Sequence, residues 1–262
     1  MRDLVLSMCG GYGIDALRPL VRSLRATGSK AEIVLLLHGN PPGTPEALRA
    51  EGAEPVEVEL AGVPAEVSYN VARWGRFADE LARRRDVERV LCCDGRDVVF
   101  QRDPFGIVEG DTVHLCEEHP SKPIGACIWT SSWIRYRYGD AALGPMAQRP
   151  SICSGFVIGA ASCMRDWLAV LVGELTPPLR ATNYMAGYDQ GVVNANVYWG
   201  RFRGLVVHPY AQSPVLHLGN TPAGAVSGNA RGEVLNEGGE VVAAVHQYDR
   251  HPQLALRLAR SG

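Results

Sequence analysis

The order of strand-like and helical segments in the first 116 residues constrains the fold of this chain most. Five short apolar runs, typical of strands, are interleaved there with segments whose apolar residues recur at helical spacing. In the segment from Ile14 to Leu24, for example, apolar residues fall at positions 14, 17, 20, 21 and 24. This order favours an α/β fold with a mainly parallel sheet and helices on both faces. The five predicted strands are Leu4–Cys9, Glu32–His38, Pro55–Leu60, Arg89–Cys93 and Thr112–Cys116, and a second helix is predicted over Tyr69–Arg85.

The rest of the chain is less regular. Residues 119–149 are rich in Trp, Tyr, Pro and Gly without a clean period, and the glycine-rich residues 219–239 predict a flexible loop. The length of the chain suits one α/β domain over residues 1–262. The elements predicted here are strands at Ser154–Ala160 and Val241–His246, and helices at Ala161–Leu175, Asn183–Tyr198 and Pro252–Arg260.

Composition excludes several classes of function. The net charge is −2 at pH 7, so no overall basic field favours nucleic acid or an anionic membrane surface. No apolar run reaches the roughly 18 residues of a membrane span, and the opening segment lacks the features of a signal peptide. The seven cysteines form no Cys-x-x-Cys pair. We therefore expect reduced core cysteines, no zinc site and a cytoplasmic protein.

Two acids follow the fourth predicted strand directly. Asp94 and Asp97 lie between Arg89–Cys93 and a further apolar run, Val98–Phe100. Acids at this point face the crevice at the carboxyl end of the sheet, where ligands of open α/β sheets bind. They are predicted to hold a hard divalent cation, and the cation to hold a diphosphate. A polar turn capped by Asp97 is the alternative interpretation.

The turn between the first strand and the first helix, residues 7–13, is a candidate ligand loop. Glycines at Gly10 and Gly11 allow backbone N–H groups to approach an anion near the start of the helix. Tyr12 is placed to stack on a nucleobase. The glycine spacing differs from the dinucleotide-binding fingerprint, and an ordinary tight turn with a surface tyrosine is the alternative.

Arginines on the helix that precedes the acidic loop are candidates for phosphate binding. Arg73 and Arg76 lie three residues apart, and guanidinium groups suit phosphate oxygens. The alternative is an exposed helical pair of Arg76 with Glu80, which contributes only a few tenths of a kcal/mol.

Polar residues in the second half are placed to reach the same site. Asp189, Gln190 and Asn194 share a helical spacing that suits a polar ligand, although they would also suit a helix cap with solvated neighbours. His246 ends the last predicted strand and is expected to complete the metal site with a neutral imidazole nitrogen. A hydrogen-bonded neighbour is the alternative for His246, and His217 has a weaker claim.

The order and spacing of these pieces resemble a glycosyltransferase of the GT-A type and, within it, the glycogenin and galactosyltransferase-like family 8. The resemblance covers most of the chain and implies a GT-A, Rossmann-like fold. The matching segments are the opening strand, Tyr12 loop and Ala-Leu to Ser-Leu helix of residues 4–24, the acidic stretch 90–105, the Ser-Gly strand 152–158, the Asp-Gln helix from residue 189 and His246.

The resemblance implies a role for each candidate residue. Asp94, Asp97 and His246 would bind Mn²⁺ or Mg²⁺, and Asp189 and Gln190 would act in catalysis by positioning the donor sugar and the nucleophile. Residues 1–116 would form a nucleotide-binding half, and residues 117–262 an acceptor-binding half that completes the metal site. The nucleotide sugar would contact Ser7, Cys9, Gly10, Gly11, Tyr12, Arg73, Arg76, Ser154 and Gly155.

Three departures from the family pattern affect these expectations. The acidic motif is Asp-x-x-Asp in place of Asp-x-Asp, so Asp97 is expected to be a firmer ligand than Asp94. Cys153 stands where the family has an asparagine before Ser-Gly, which removes one sugar contact. The family's His-x-x-Gly-x-x-Lys-Pro-Trp tail is absent from the sequence, so another residue must neutralise the β-phosphate.

The expected function is transfer of a hexose or N-acetylhexosamine from a UDP-sugar to a small-molecule or carrier-bound acceptor, in bacterial-type biosynthesis. The resemblance implies retention at the anomeric carbon, whereas an inverting enzyme would need a base such as Asp189. Two other classes stay open, a metal-dependent phosphohydrolase and a non-catalytic nucleotide-sugar binder. The sequence does not give the acceptor or the oligomeric state.

Overall fold

A computed structural model describes residues 2–60, 68–180 and 183–258. The described residues form an α/β structure built on a seven-stranded sheet. The predicted bounds of Glu32–His38, Arg89–Cys93 and Ala161–Leu175 are confirmed, and residues 259–260 of the last predicted helix lie outside the described residues. The strands within these described ranges are β1 Asp3–Gly10, β2 Glu32–His38, β3 Glu54–Glu57, β4 Arg89–Cys93, β5 Val98–Phe100, β6 Val113–Cys116, β7 Phe156–Ala160, β8 Leu205–His208, β9 Val215–His217, β10 Ser227–Gly228, β11 Val234–Leu235 and β12 Ala244–His246.

The seven-stranded sheet is mainly parallel, as predicted. Its order is β3-β2-β1-β4-β7-β6-β8, and β7 alone runs antiparallel to both of its neighbours. The remaining pairs along the sheet are parallel. The carboxyl ends of β1, β4 and β6 therefore meet the amino end of β7 at one edge of the sheet.

Helices cover both faces of this sheet. Successive side chains of a strand point to opposite faces, so apolar residues of the strands are available for packing on both. In the described ranges the α-helices are α1 Ile14–Ala26, α2 Thr44–Ala50, α3 Tyr69–Arg83, α4 Ile128–Tyr138, α5 Asp140–Leu143, α6 Ala161–Leu175, α7 Tyr188–Tyr198 and α8 Pro252–Leu258. Leu4 and Leu6 of β1 pack in one core with the apolar residues of α3, α6 and α7, whereas Val5 and Cys9 pack in another with those of α1 and α2.

A second, three-stranded sheet lies against the α1 side of the structure, in the order β5-β12-β9. Val98 and Phe100 of β5 join the core that contains α1. Strand β12 is antiparallel to β5 and parallel to β9, so that His246 stands opposite both Val98 and His217. The second sheet thereby returns the carboxy-terminal strand to the loop that joins β4 to β5.

Two regions differ from expectation. The aperiodic residues 119–149 contain helix α4, and the glycine-rich residues 219–239 contain the short antiparallel pair of β10 and β11. Across the described ranges, no helix combines the length and apolar character that a membrane crossing requires.

Candidate functional site

The antiparallel strand β7 brings two chain segments to one edge of the main sheet. Asp94 follows the end of β4, and Ser154 and Gly155 precede the start of β7. Because these strands run in opposite directions, the segments meet, and the backbone N–H of Asp94 donates to the carbonyl of Gly155 at 2.9 Å. The acidic loop is therefore fixed at the carboxyl end of β4, where the sequence predicted it.

The second sheet adds Asp97 and His246 to this edge. The backbone N–H of Gln247 donates to the carbonyl of Asp97 at 2.8 Å. The imidazole Nε2 of His246 lies 3.2 Å from Asp94 Oδ2 and 3.6 Å from Asp97 Oδ1. The three predicted metal ligands thus come together although His246 is 152 residues from Asp94 in sequence.

The arrangement of these three residues fits a hard divalent cation. Their ligand atoms all lie within 4.8 Å of one another. An octahedral Mg²⁺ with bonds of about 2.0–2.1 Å keeps adjacent ligand atoms about 2.9 Å apart, so the distances from His246 Nε2 to the two carboxylates would close by about 0.3 and 0.7 Å. The two carboxylates are ligands that Mn²⁺ and Mg²⁺ prefer, and the imidazole adds one nitrogen.

Glycines allow this close approach. A Cβ on Gly155 would lie 2.3 Å from His246 Cε1 and 2.8 Å from Asp94 Oδ2. A Cβ on Gly95, inside the acidic loop, would lie 2.3 Å from Cys9 Sγ and 2.8 Å from Ser7 Oγ. The loop can therefore lie directly on β1, and the imidazole directly on the start of β7.

Arg73 links the acidic loop to helix α7. Its guanidinium contacts Asp94 Oδ1, which leaves Asp94 Oδ2 directed at His246, and its NH2 lies 3.0 Å from Asp189 Oδ2. Burial alone would lower the pKa of Arg73, but the two carboxylates raise that pKa, so the guanidinium stays charged. Burial opposes ionisation of Asp94, yet the charge of Arg73 and the contact with His246 hold the pKa of Asp94 below its usual value.

Asp189 is buried, with 1% of its surface exposed. Its Oδ2 accepts hydrogen bonds from Trp74 Nε1 at 3.0 Å and Ser154 Oγ at 3.4 Å, in addition to Arg73. Burial raises the pKa of Asp189, and the charge of Arg73 opposes that rise. A carboxylate held in this way orients its neighbours and is poorly placed to accept a proton from an acceptor substrate.

Gln190 faces the cleft and has a fixed amide orientation. Its Nε2 donates to Glu118 Oε1 at 2.9 Å and to Ser151 Oγ at 3.3 Å, and its Oε1 accepts from the backbone N–H of Ser154 at 3.5 Å. Asn194, four residues on, is fully buried and exchanges two hydrogen bonds of 2.8 Å with the backbone of Ile152. The prediction that Asn194 faces a ligand is therefore wrong, since it joins α7 to the segment before β7.

The second nitrogen of His246 faces a different group of side chains. Its Nδ1 lies 2.9 Å from Nδ1 of His217 and 3.6 Å from Sγ of Cys153. Burial lowers the pKa of His217 well below its usual value and raises that of Cys153. Burial also opposes a charge on His246, but Cys153, Asp94 and Asp97 raise its pKa well above the usual value.

A cleft of about 500 Å³ opens over these residues, which is within the range of pockets that hold small ligands. A second cavity of about 320 Å³ adjoins it and shares Trp129, Trp133 and Gln190 with the first. The residues that line the first are Asn70, Arg73, Asp94, Asp97, Trp129, Trp133, Cys153, Ser154, Gly155, Gly187, Asp189, Gln190, His246, Gln247 and Arg250.

The loop after β1 lies beside the acidic loop. Gly11 has a φ of +75°, which favours glycine, and its N–H donates to the His38 carbonyl at 3.0 Å. Tyr12 is 39% exposed, and the guanidinium carbon of Arg96 lies 5.9 Å from its ring centroid. Gly10 lies against the ring of Tyr69. The ring of Tyr12 is therefore partly accessible beside the acidic loop, with Arg96 over it.

Three residues predicted to contact the nucleotide sugar are placed differently. Ser7 and Cys9 are fully buried beneath Gly95, so their side chains support the acidic loop and do not face the cleft. Arg76 donates to the carbonyl of Glu59 at 2.8 Å and pairs with Asp79, and neither partner belongs to the acidic loop. The structure gives these three side chains other contacts, and their assignment to the nucleotide sugar stays a prediction.

Sequence reasoning also missed residues that line the two cavities. Asn70, Gln247 and Arg250 carried no motif, and Glu118 follows β6 without a distinctive pattern. The position of Glu118 in the sequence could have indicated it. An acid just beyond a predicted parallel strand is expected at the same sheet edge as Asp94. Neither a protein-family model nor a curated protein sequence matches this chain.

Proposed function

We propose that this protein is a metal-dependent glycosyltransferase of the GT-A type that moves a hexose or an N-acetylhexosamine from a UDP-sugar to an acceptor. The observation that carries the proposal is the convergence of Asp94, Asp97 and His246 beside a cleft that also contains Asp189 and Gln190. A hard-cation site at the carboxyl end of a mainly parallel sheet suits a ligand with a diphosphate.

The amino-terminal half supplies the groups for the nucleotide. The backbone of Gly10 and Gly11 and the exposed ring of Tyr12 would hold uridine. Asp94, Asp97 and His246 would hold Mn²⁺ or Mg²⁺, which supplies Lewis-acid stabilisation of negative charge on the leaving diphosphate. Arg73 would add a fixed positive charge beside the metal ligands, a role for which its pairing with Asp94 fits better than the position of Arg76.

Helix α7 supplies the groups for the sugar. Gln190 lines both cavities, and its amide is oriented by Glu118 and Ser154, so it would position the donor sugar and the incoming nucleophile. Asp189 would act on this geometry through Arg73 and Ser154. Since Asp189 is buried and paired, its environment argues against Asp189 as the base of an inverting reaction.

The adjoining cavity of about 320 Å³ is where we place the acceptor. Trp129, 45% exposed, and Trp133 provide aromatic surface there, and Glu118 and Asn220 provide hydrogen-bonding groups. This lining suits a small hydroxylated molecule or the end of a carrier-bound one.

Incubation with a panel of UDP-sugars and Mn²⁺, with UDP release as the readout, tests the proposal. A transferase without its acceptor slowly releases UDP and free sugar from its own donor, and Asp97→Asn should remove that activity. Asp79→Asn, which changes an exposed acid on α3, is the matched control. Release of phosphate from simple phosphate esters would instead indicate a hydrolase, and donor binding without any turnover would indicate a binding protein.

A further inference from the structure

Three soft or borderline ligand groups meet on the side of His246 that faces away from the acids. Cys153 precedes β7, His217 ends β9 and His246 ends β12, so three separate strands contribute to the group. Each of the three residues is at most 1% exposed. Their ligand atoms, Cys153 Sγ and one ring nitrogen of each histidine, all lie within 4.8 Å of one another.

The distances within this group are close to those of a tetrahedral zinc site. With Zn–N bonds of about 2.0–2.1 Å and Zn–S bonds of about 2.3 Å, two nitrogens lie about 3.3 Å apart and nitrogen and sulfur about 3.5 Å apart. The separation of His246 Nδ1 from Cys153 Sγ is 3.6 Å, and its separation from His217 Nδ1 is 2.9 Å. The distance from nitrogen to sulfur already fits the ion, whereas the two rings, now in direct contact, must move apart by about 0.4 Å and turn both Nδ1 atoms toward it.

We propose that Cys153, His217 and His246 bind a borderline-soft divalent cation, of which Zn²⁺ is the type. The site differs in chemistry from the Asp94–Asp97–His246 cluster, because it offers sulfur and nitrogen in place of carboxylate oxygen. The two groups share His246, and a neutral imidazole binds a metal through one nitrogen at a time, so the two ions compete for this residue. The site does not depend on the glycosyltransferase proposal, since it rests on these three side chains alone.

The surroundings of Cys153 suit a metal thiolate. Its Sγ accepts a hydrogen bond from the backbone N–H of Gly155 at 3.4 Å, and such bonds stabilise negative charge on sulfur. A cation bound to Sγ favours the thiolate over the thiol. Binding of Zn²⁺ forms the Zn–S bond and releases the thiol proton to solvent.

His217 presents its Nδ1 to the group. A cation there places the ring proton on Nε2, a buried atom without a hydrogen-bond partner among the described residues. The metal–nitrogen bond must therefore offset the cost of that unpaired N–H. Because Cys153 and His246 also line the 500 Å³ cleft, the ion has an entry path, and a fourth ligand can reach it from there.

Cobalt(II) is the probe that reports sulfur ligation directly. The wild-type protein, loaded with Co²⁺ under reducing conditions and without nucleotide, should show a sulfur-to-cobalt charge-transfer band in the near ultraviolet. Cys153→Ser should lose the band, and His217→Gln should weaken Co²⁺ binding at least about tenfold, the loss that even a change around metal ligands can bring. Asp79→Asn, which changes the exposed acid that pairs with Arg76 on α3, is the matched control and should keep the band.

Two results would overturn the proposal: no sulfur band in the wild type, or a band that persists in a folded Cys153→Ser variant. If that variant does not fold, X-ray absorption spectroscopy of the zinc-loaded wild type decides. One sulfur and two nitrogen atoms bound to the zinc would support the site. Oxygen atoms and a single nitrogen would instead assign the ion to the cluster of Asp94, Asp97 and His246. UDP release from UDP-sugars is measured separately and tests only the glycosyltransferase proposal, so failure of one proposal can be told from failure of the other.

Discussion

The guanidinium of Arg73 lies 3.0 Å from the carboxylate of Asp189, and the two buried residues are separated by 116 positions in the chain. The same guanidinium contacts Asp94 in the acidic loop. This pair therefore ties α3, α7 and the loop after β4 together at the floor of the cleft. Because all three charged groups are buried or partly buried, the removal of one leaves another without its countercharge.

Arg73→Met should destabilise the fold by about 3–5 kcal/mol, the usual effect of removing one partner from a buried ion pair. Adding Asp189→Asn should recover part of the loss, since a neutral amide needs no countercharge. Urea unfolding of the two single variants and the double variant measures this coupling. Arg76→Met, which removes a partly exposed arginine of the same helix, is the control and should change stability much less. Strictly additive effects of the two changes would show that the pair is not coupled.

Asp97→Asn should abolish metal-dependent UDP binding while the fold survives. The carboxylate lies 3.6 Å from His246 Nε2 in the candidate metal cluster, and an amide is a much weaker ligand for a hard cation. Calorimetry of UDP with and without Mn²⁺ provides the test, with Asp79→Asn as the matched surface change. Unchanged UDP affinity in a folded variant would remove Asp97 from the metal site.

Tyr12→Ala should weaken UDP and UDP-sugar to the same degree. Loss of a stacking partner for the base should raise the free energy of binding by roughly 1–3 kcal/mol, by analogy with base stacking in nucleic acid complexes. Turnover at saturating donor should change little, because the base stays in place while the sugar moves. Tyr12→Phe keeps the ring and should bind nearly as the wild type does. A fall in saturated turnover with unchanged donor affinity would place Tyr12 near the chemistry instead.

Mn²⁺ affinity should fall as the pH falls through the pKa of His246. Metal binding needs the neutral ring, and the neighbours of His246 raise its pKa above the usual value, so proton competition should begin above about pH 6.5. Calorimetric titration with Mn²⁺ at several pH values measures the effect. His246→Gln should need much more Mn²⁺ for half-maximal activity, while His119→Gln serves as a control. A wild-type affinity that stays flat across this pH range would exclude His246 from the metal shell.

A second pair of histidines should make stability depend on pH. His114 Nδ1 lies 2.9 Å from His208 Nε2, and burial, aided by His208, lowers the pKa of His114 to about 4. The unfolded chain then binds the proton first, so stability should fall as the pH falls from about 6.5 to 4, by up to about 3 kcal/mol. Urea unfolding at several pH values should show a smaller loss in His114→Asn than in the wild type. An identical loss in both proteins would assign the pH dependence to other groups.

Much of the main sheet could be predicted because its strands are continuous apolar runs. Strand β4 is buried from Val90 to Cys93, and burial on both faces requires apolar side chains at every position. Helix α4 could not be predicted in this way. It packs on α7, where Trp133 lies against Gly191, and it also lines the cleft with the exposed Trp129, so its apolar residues follow no single face.

The acids of the site could be predicted because a strand end fixes their place, whereas the contacts between distant strands could not. His217 meets His246 only through the parallel register of β9 and β12, which depends on pairing that no local pattern encodes. Likewise Arg73 and Arg76 look equivalent on a helix, but only Arg73 finds two carboxylates that offset the cost of burying a guanidinium.

Gly155 contributes no candidate ligand atom, yet the site depends on it because it has no side chain. A methyl group there would stand 2.3 Å from Cε1 of His246, nearer than any two such atoms can pack, and 2.8 Å from Asp94 Oδ2. Any larger residue at position 155 must therefore displace the imidazole of His246. A survey of substitutions along the chain should therefore find position 155 as intolerant of change as the candidate metal ligands. The reason is steric, because the ring of His246 occupies the space that a side chain at position 155 would need.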